Sequence, residues 1–341
     1  MIFLKKAFII SGVFISGLIG AGFASGSEIL FYFSRYSKMG LLGIILSVLI
    51  FSFVQYMVIV RSNTLKTFTV DEYFSKIMNK PLFVLSTVIS YSFMLIILCA
   101  MLSGSGELIN SVFGFKKIYG VLIMLISTHL ILSKGYKGFI SAQSFLSAII
   151  IISIFLFGAY ILFFREQTIS VFKPNIDWGI SAVSYAGYNL LTAVAILCII
   201  SKNSDVKITT KSSVITFVIL LPILAILWFI ICIYNGMINL GAMPLLTIAM
   251  RQSALIGYFY SVTIFVSMLT TAVSNSYALI SRLADFTGAK TAHYLVLVFA
   301  FFLSGFDFEF IVDKLYRYIG ILSVFVIFFI VKDFIKKTLK I

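Results

Sequence analysis

Residues 17–28 read GLIGAGFASGSE and interrupt an apolar segment that begins at Ala7. Four glycines and a carboxylate stand where an apolar helix should continue. Two readings are open. In the first the helix is unbroken, and Gly12, Ser16, Gly20 and Ala24, four residues apart, form a stripe of small side chains that lets another helix approach closely. In the second the helix breaks. Each glycine weakens a helix by about 1 kcal/mol relative to alanine, and unwound backbone at membrane depth is tolerated only around a protein-lined cavity. There its carbonyls suit a cation, and the free amides of the following half-helix suit an anionic group. On this reading Gly20, Ala21, Gly22, Phe23, Ala24, Ser25 and Gly26 line a substrate site. A phosphate-binding loop is excluded, because Gly20-x-Gly22 is flanked by membrane helix on both sides rather than by a strand and a helix.

Composition makes lipid the solvent. Of 341 residues 61% are hydrophobic and 11% charged, and mean hydropathy is +1.12. A soluble domain carries about 25% charged residues. The apolar runs are long and lack period-2 alternation, so the fold class is all-α and polytopic rather than a barrel. The net charge of +14 reads as basic residues in cytoplasmic loops, not as a nucleic-acid surface. Cys99, Cys198 and Cys232 all lie in apolar runs, with neither disulfide nor metal spacing. Lys5 and Lys6 precede the first run as in a signal peptide, but the run is too long and lacks a clear cleavage site, so it reads as a retained helix.

A span needs about 20 apolar residues. Ten segments qualify: 7–35, 39–60, 82–110, 118–133, 138–164, 178–200, 209–234, 254–281, 291–305 and 313–331, the ninth being short. Most of the 26 basic residues fall on one side if the N-terminus is inside, which places both termini in the cytoplasm. Residues 67–78 suit a short helix at the inner surface. Residues 236–252 are too apolar for a bare loop and read either as a lid over the outer face or as a plain interfacial helix.

A broken first helix predicts a matching interruption in a second half. Ser184-Tyr185-Ala186-Gly187-Tyr188-Asn189 is the most polar stretch of the sixth segment. With five segments in each half, 7–164 and 178–331 run in opposite senses, as a 5+5 inverted repeat requires. The chain is expected to form one transmembrane domain over 1–341, with helices one and six broken.

GAGFASGSE in segment one, YAGYN in segment six and MPLL in the lid segment together resemble the YkvI-like membrane proteins of bacteria, a family similar to the amino acid–polyamine–organocation superfamily. The resemblance extends along the whole chain. It implies a LeuT-like fold with helices one and six unwound around a small-molecule site, in a bacterial cytoplasmic membrane. It also implies a sodium site, in which Ser267, Thr270 and Thr271 of segment eight, which share a helix face at i, i+3, i+4, join carbonyls of Gly20 and Phe23. The plain reading is that such hydroxyls bond back to their own helix or bridge helices.

An ionisable residue inside a span is a functional candidate. Glu28 is expected to titrate as a coupling proton site, hold a substrate ammonium or close an outer gate; the plain alternative is that it reaches the outer headgroup level or pairs with Arg35. Glu107, after Ser103-Gly-Ser-Gly, is a second gate or coupling candidate near the outer end, with solvent exposure as its plain reading, and Ser103 joins the substrate list. Tyr185, Gly187, Tyr188 and Asn189 form the opposite wall. The resulting expectation is a secondary transporter of a small organic solute (an amino acid or a related amine or zwitterion), coupled to Na⁺ or H⁺ by alternating access. The alternative is a ligand-binding sensor without transport. HExxH and GxSxG motifs are absent and His129 and His293 form no credible metal cluster, so an enzyme is not expected. Beyond a coupling ion no cofactor or metal is expected. The implied partners are the small-molecule substrate and the lipid bilayer; oligomeric state is left open.

Overall fold

The computed structural model describes residues 2–164, 177–202, 204–234, 240–306, 308–311 and 315–338. They form α1 (Ile2–Leu18), α2 (Ala21–Ser25), α3 (Ser27–Tyr32), α4 (Met39–Leu65), α5 (Val70–Ile77), α6 (Lys80–Phe113), α7 (Lys117–Leu132), α8 (Gly135–Phe164), α9 (Trp178–Ser201), α10 (Val206–Tyr234), α11 (Pro244–Gln252), α12 (Ala254–Thr287), α13 (Ala289–Leu303), α14 (Phe308–Phe310) and α15 (Tyr316–Thr338). Seven are long and apolar enough to cross a membrane: α4, α6, α8, α9, α10, α12 and, within α15, Tyr318–Lys337; α7 and α13 are shorter apolar helices. Side chains such as Phe53, Phe145, Phe163, Leu255 and Phe302 point outward and exposed, as a lipid-facing belt requires. The chain is an integral membrane protein.

α9 is the central post, buried along almost its whole length. α4 and α15 flank it, α1 crosses it, and α6, α8 and α12 complete the wall around the break in the first segment.

That break is built by glycine. α1 stops at Leu18, and Gly20 is extended (φ −92°, ψ −169°). One turn and a half of helix follows as α2. Gly26 then adopts φ +85°, ψ −1°, the left-handed region a side chain disfavours, and α3 starts from it. The small-residue stripe also does what packing asks. A Cβ at Gly12 would lie 2.9 Å from Ser147 Oγ of α8, and one at Gly20 3.4 Å from Thr271 Oγ1 of α12. Both readings of GLIGAGFASGSE hold at once, the stripe seating the helix and the glycines around it breaking it.

The second expected break is absent: α9 is one continuous helix through Ser184–Asn189. Its polar residues have other work. Asn189 Nδ2 donates to the Tyr185 carbonyl one turn back, 3.0 Å. A Cβ at Gly187 would meet the Gly320 carbonyl and Ser323 Oγ at 2.8 Å. Gly187 therefore serves a close crossing with α15 rather than an interruption. A single glycine, already used for contact, does not unwind a helix of good formers.

The two structured connections are present as helices. α5 begins with a capping box in which Thr69 and Glu72 exchange bonds and buries Tyr73 and Phe74. α11 lies over the break, with Leu245 Cγ only 2.6 Å from where a Gly26 Cβ would be. It packs inward on α2 and α12, which a plain interfacial helix would not do. Residues 235–239 of that connection lie outside the described residues.

Candidate functional site

Glu28, in the first turn of α3, is 4% exposed. The left-handed turn at Gly26 folds α3 back so that the Glu28 side chain lies against Gly22, whose missing Cβ leaves the space: an added one would stand 2.6 Å from Glu28 Cγ and 2.8 Å from Cδ. The carboxylate thus occupies the break itself instead of the headgroup level. The Tyr188 hydroxyl faces it, and Oε2 is left without a hydrogen-bond partner. Arg35 does not pair with it. That guanidinium donates to the Tyr36 hydroxyl at 2.6 Å and stacks 4.2 Å from the Phe31 ring centre.

Aromatic rings pack around Tyr188, whose hydroxyl faces Glu28. Tyr188 has its ring centre 5.7 Å from Tyr32, 5.7 Å from Tyr185, 5.2 Å from Tyr316 and 6.1 Å from Phe93. Phe93 and Tyr316 are 5.4 Å apart. Tyr185 packs on Phe33 and Phe51. Tyr185, Tyr188 and Tyr316 all feel the Glu28 charge. Of these the sequence singles out Tyr185 and Tyr188. Tyr32, Phe93 and Tyr316 carry no sequence signal, being aromatics in aromatic-rich spans, and only the fold brings α3, α6 and α15 around α9.

On the other side of the break the helix-twelve hydroxyls are mostly spent within their own helix. Ser267 Oγ donates to the Thr263 carbonyl at 2.9 Å and Thr270 Oγ1 to the Ser267 carbonyl at 2.8 Å. Thr271 Oγ1 alone reaches the broken segment, 3.4 Å from the Ile19 carbonyl. The expected carbonyls are partnered locally: Gly20 accepts from the Ala24 amide and Phe23 from the Gly26 amide. The seam is instead tied by Gln143 of α8, wholly buried. Its Nε2 donates to the Thr270 carbonyl at 2.7 Å and to Ser274 Oγ at 2.6 Å, while Oε1 accepts from Ser16 Oγ at 2.6 Å. An amide within an apolar run is a signal that could have found it. Tyr260 adds a further tie, donating to the Ala24 carbonyl at 2.9 Å.

Other candidates lie elsewhere. Ser103 donates to the Phe306 carbonyl at 2.7 Å and so holds the α13–α14 turn. Glu107 is ion-paired with Lys117 and partly exposed, a surface pair of small worth. Ser25 bonds to Ser27 and the Gly22 carbonyl inside the break. His129 and His293 meet, with Nδ1 and Nε2 2.9 Å apart, bordering a cavity of about 500 Å³ between α7, α8, α12 and α13. Among the described residues no group of three His, Cys, Asp or Glu side chains comes together.

Two cavities border α9, one before Tyr188 in the chain and one after it. One, about 410 Å³, is lined by Phe31, Tyr32, Arg35, Asp177 and Ser184 among others. The other, about 230 Å³, lies toward the opposite end among Asp71, Glu72, Tyr91, Ala195, Ile199, Ala278, Arg282 and Asp285. That end is tied shut. Arg61 forks onto Asp333 at 2.6 and 3.1 Å, Arg282 holds Asp71 at 2.7 Å, and Ser62 bonds Ser201 at 2.8 Å. Burial raises the Asp71 carboxyl above its ordinary range, partly offset by Arg282.

No family model matches the chain. It is 25% identical over 322 residues, 91% of either chain, to the uncharacterized membrane protein YkvI of Bacillus subtilis, its homologue. In fold it is similar to a manganese transporter from Eremococcus coleocola (TM-score 0.67, 11% identity, 95% of this chain and 77% of that one). It is also similar to Mhp1, a nucleobase-cation-symport-1 family transporter, in a closed conformation with bromovinylhydantoin bound (TM-score 0.55, 13% identity, 87% and 71%) and facing inward (0.53, 11%, 94% and 73%). The likeness to YkvI-like proteins holds, and the fold is the LeuT fold of these transporters.

Proposed function

We propose that the chain is a secondary active transporter of a small organic solute, an amino acid or a related amine, working by alternating access and not an enzyme. The observation that carries this reading is the broken first segment with a buried carboxylate folded into it, beside a central helix that borders one cavity before Tyr188 and another after it. Such a break at mid-membrane suits a site opened to one side at a time. The ten spans are read as a 5+5 inverted repeat over 7–164 and 178–331, with both termini cytoplasmic, so that the Arg61–Asp333 end is the inner gate and Tyr32 the outer.

The cargo is read as contacting the α2 backbone from Gly20 to Gly26, with Tyr185 and Tyr188 opposite. Coupling has two routes: Na⁺ between Thr271 and the Ile19 carbonyl, or H⁺ on Glu28. The inward use of the Ser267 and Thr270 hydroxyls and the presence of Gln143 in the seam favour the proton. Opening then depends on which state the ion and cargo bind more tightly.

The test is a thermal-stability screen of purified protein against amino acids, amines and nucleobases in Na⁺ or K⁺, followed by counterflow of the best ligand in proteoliposomes. A ligand at about 100 times its Kd adds about 2.7 kcal/mol. Saturable, trans-stimulated uptake supports transport. Binding without counterflow supports the sensor reading instead.

A further inference from the structure

We propose that the cavity of about 500 Å³ between α7, α8, α12 and α13 is a binding site for the phosphate headgroup of an anionic phospholipid. The site is separate from the broken first segment, and the proposal stands whether or not the chain transports a solute.

The first argument is charge. Three basic side chains line the cavity, His129 from the last turn of α7 and Lys290 and His293 from the start of α13. Among the described residues on its wall there is no carboxylate. Asp285, the acid next along α12, borders the neighbouring cavity together with Arg282. Among the described residues none of the ion pairs includes Lys290. Lys134 and Lys137, exposed at the turn from α7 into α8, add to the same positive field. The two cavities share Ser281, so the site lies at the Arg61 end of the fold.

The second argument is the donor set. His129 Nδ1 and His293 Nε2 stand 2.9 Å apart and share one proton. The neutral pair therefore keeps one N–H on a nitrogen outside that bond, and a pair holding one proton more keeps two. Tyr277 and Ser281 are bonded to each other, which uses one hydroxyl proton and leaves the other. Ser133 adds none, because its hydroxyl donates to the Leu130 carbonyl at 2.9 Å. α13 begins at Gly288 without a side-chain cap, and Ala289 and Lys290, whose amides open that helix, are both on the cavity wall. Such amides favour an anion. Ammonium, imidazole N–H, hydroxyl and amide suit a phosphate, which only accepts. They do not suit a metal ion, for which two imidazoles already bonded to each other are too few ligands.

The third argument identifies lipid as the source of the phosphate. On α7, Ile126 and Leu122 share a face with His129, three and seven residues back. On α13, Val298 and Phe302 continue the face of Tyr294, a further wall residue, four and eight residues on. All four are exposed. The Tyr294 ring stacks on His129 with 6.0 Å between centres and joins the two faces. Two apolar tracks thus run from the cavity along adjacent helices toward the middle of the bilayer, where acyl chains lie. A free phosphate would use none of that surface. A basic pocket between spans, with apolar tracks leading away from it, fits an anionic lipid.

The experiment uses the full chain, stripped of lipid in detergent and titrated with phosphatidylglycerol or with phosphatidylcholine of the same acyl chains. Bound lipid is counted by native mass spectrometry, and melting temperature is followed in parallel. Phosphatidylglycerol should bind about tenfold more tightly than phosphatidylcholine and raise the melting temperature further. Lys290→Gln, at an exposed position, should fold normally and bind phosphatidylglycerol about fivefold more weakly, the weight of one basic residue at an anionic headgroup. Lys290→Arg should keep the affinity. Lys336→Gln/Lys337→Gln removes two exposed charges from α15 at the same end and should also keep it. Equal binding of the two lipids overturns the proposal, as does an equal loss in the α15 variant, which would mean general surface attraction. Inorganic phosphate and glycerol 3-phosphate form separate arms; stabilisation by either equal to that of phosphatidylglycerol overturns the lipid assignment in favour of a soluble phosphate.

Discussion

Gly22→Ala tests whether the glycines of the break exist to make room for Glu28. The new methyl would stand 2.6 Å from Glu28 Cγ and 2.8 Å from Cδ, against the 3.5–4.0 Å at which carbon atoms rest, so the side chain must withdraw by about 1 Å. On the Tyr188 side its room is limited, because that ring is packed on Tyr316 and Phe93. Overpacking of this kind costs about 1–3 kcal/mol, and a side chain forced off its rotamer accounts for about 1 kcal/mol of that. In a Glu28→Ala background the obstructing atoms are gone. The same Gly22→Ala change then gains up to about 1 kcal/mol of helix propensity in α2. The two substitutions should therefore interact by about 2–3 kcal/mol, with Gly22→Ala lowering the melting temperature in detergent when Glu28 is present and raising it slightly when Ala is at 28. The assay is a double-mutant cycle of four proteins in one detergent and needs no ligand. If the cycle is additive to within about 0.5 kcal/mol, the carboxylate does not lie over Gly22 and the description of the site is wrong.

Three further outcomes are expected. Arg61→Gln leaves half-buried Asp333 without its ion pair and should destabilise the closed Arg61 end by about 1–2 kcal/mol, between an exposed and a buried pair; with Cys99 and Cys232 replaced by alanine, buried Cys198 (fully enclosed in α9) should then react faster with N-ethylmaleimide, and Arg61→Gln/Asp333→Asn should restore protection. Because burial raises the native Asp71 carboxyl, the folded protein binds that proton more readily than the unfolded chain, and stability falls as pH rises from about 3.9 through the higher native value; wild type should accordingly gain stability relative to Asp71→Asn as pH falls, and a difference independent of pH would refute this. Gly187→Leu should lower the melting temperature by separating α9 from α15 at Gly320, whereas Gly179→Leu, where an added Cβ meets nothing within 4 Å, should not.

How far the site could be read from sequence depends on which feature is local. A break needs only a run of residues that disfavour helix within one span, and GLIGAGFASGSE supplies it. The short helix at 67–78 is equally local, since its apolar residues are interleaved with charges, whereas 236–252 was legible as more than a bare loop but not as a lid, which depends on how α11 packs on α2 and α12. The expectation for segment six failed because polarity was read as interruption. Ser184, Gly187 and Asn189 are polar or small because α9 is crowded on every side, and a central helix needs small residues at crossings and internal hydrogen bonds for its amides. Likewise the hydroxyl triad in α12 was legible as one face, but not whether that face looks outward to a cation or back at its own carbonyls.

What no local pattern could supply is the enclosure of Glu28. Its position eight residues past Gly20 suggests a group near the outer surface if the helix ran straight. The left-handed turn at Gly26 reverses that geometry and returns the side chain to Gly22, so the glycine that breaks the helix also carries the carboxylate inward. Tyr188, Tyr316, Phe93 and Tyr32 come from four different elements and meet only because α9 runs through the centre of the fold. A lone acid in an apolar enclosure is stable only when neutralised. On the transporter reading proposed above, closure is therefore expected to be favoured when Glu28 is neutralised and opposed when it is charged and alone.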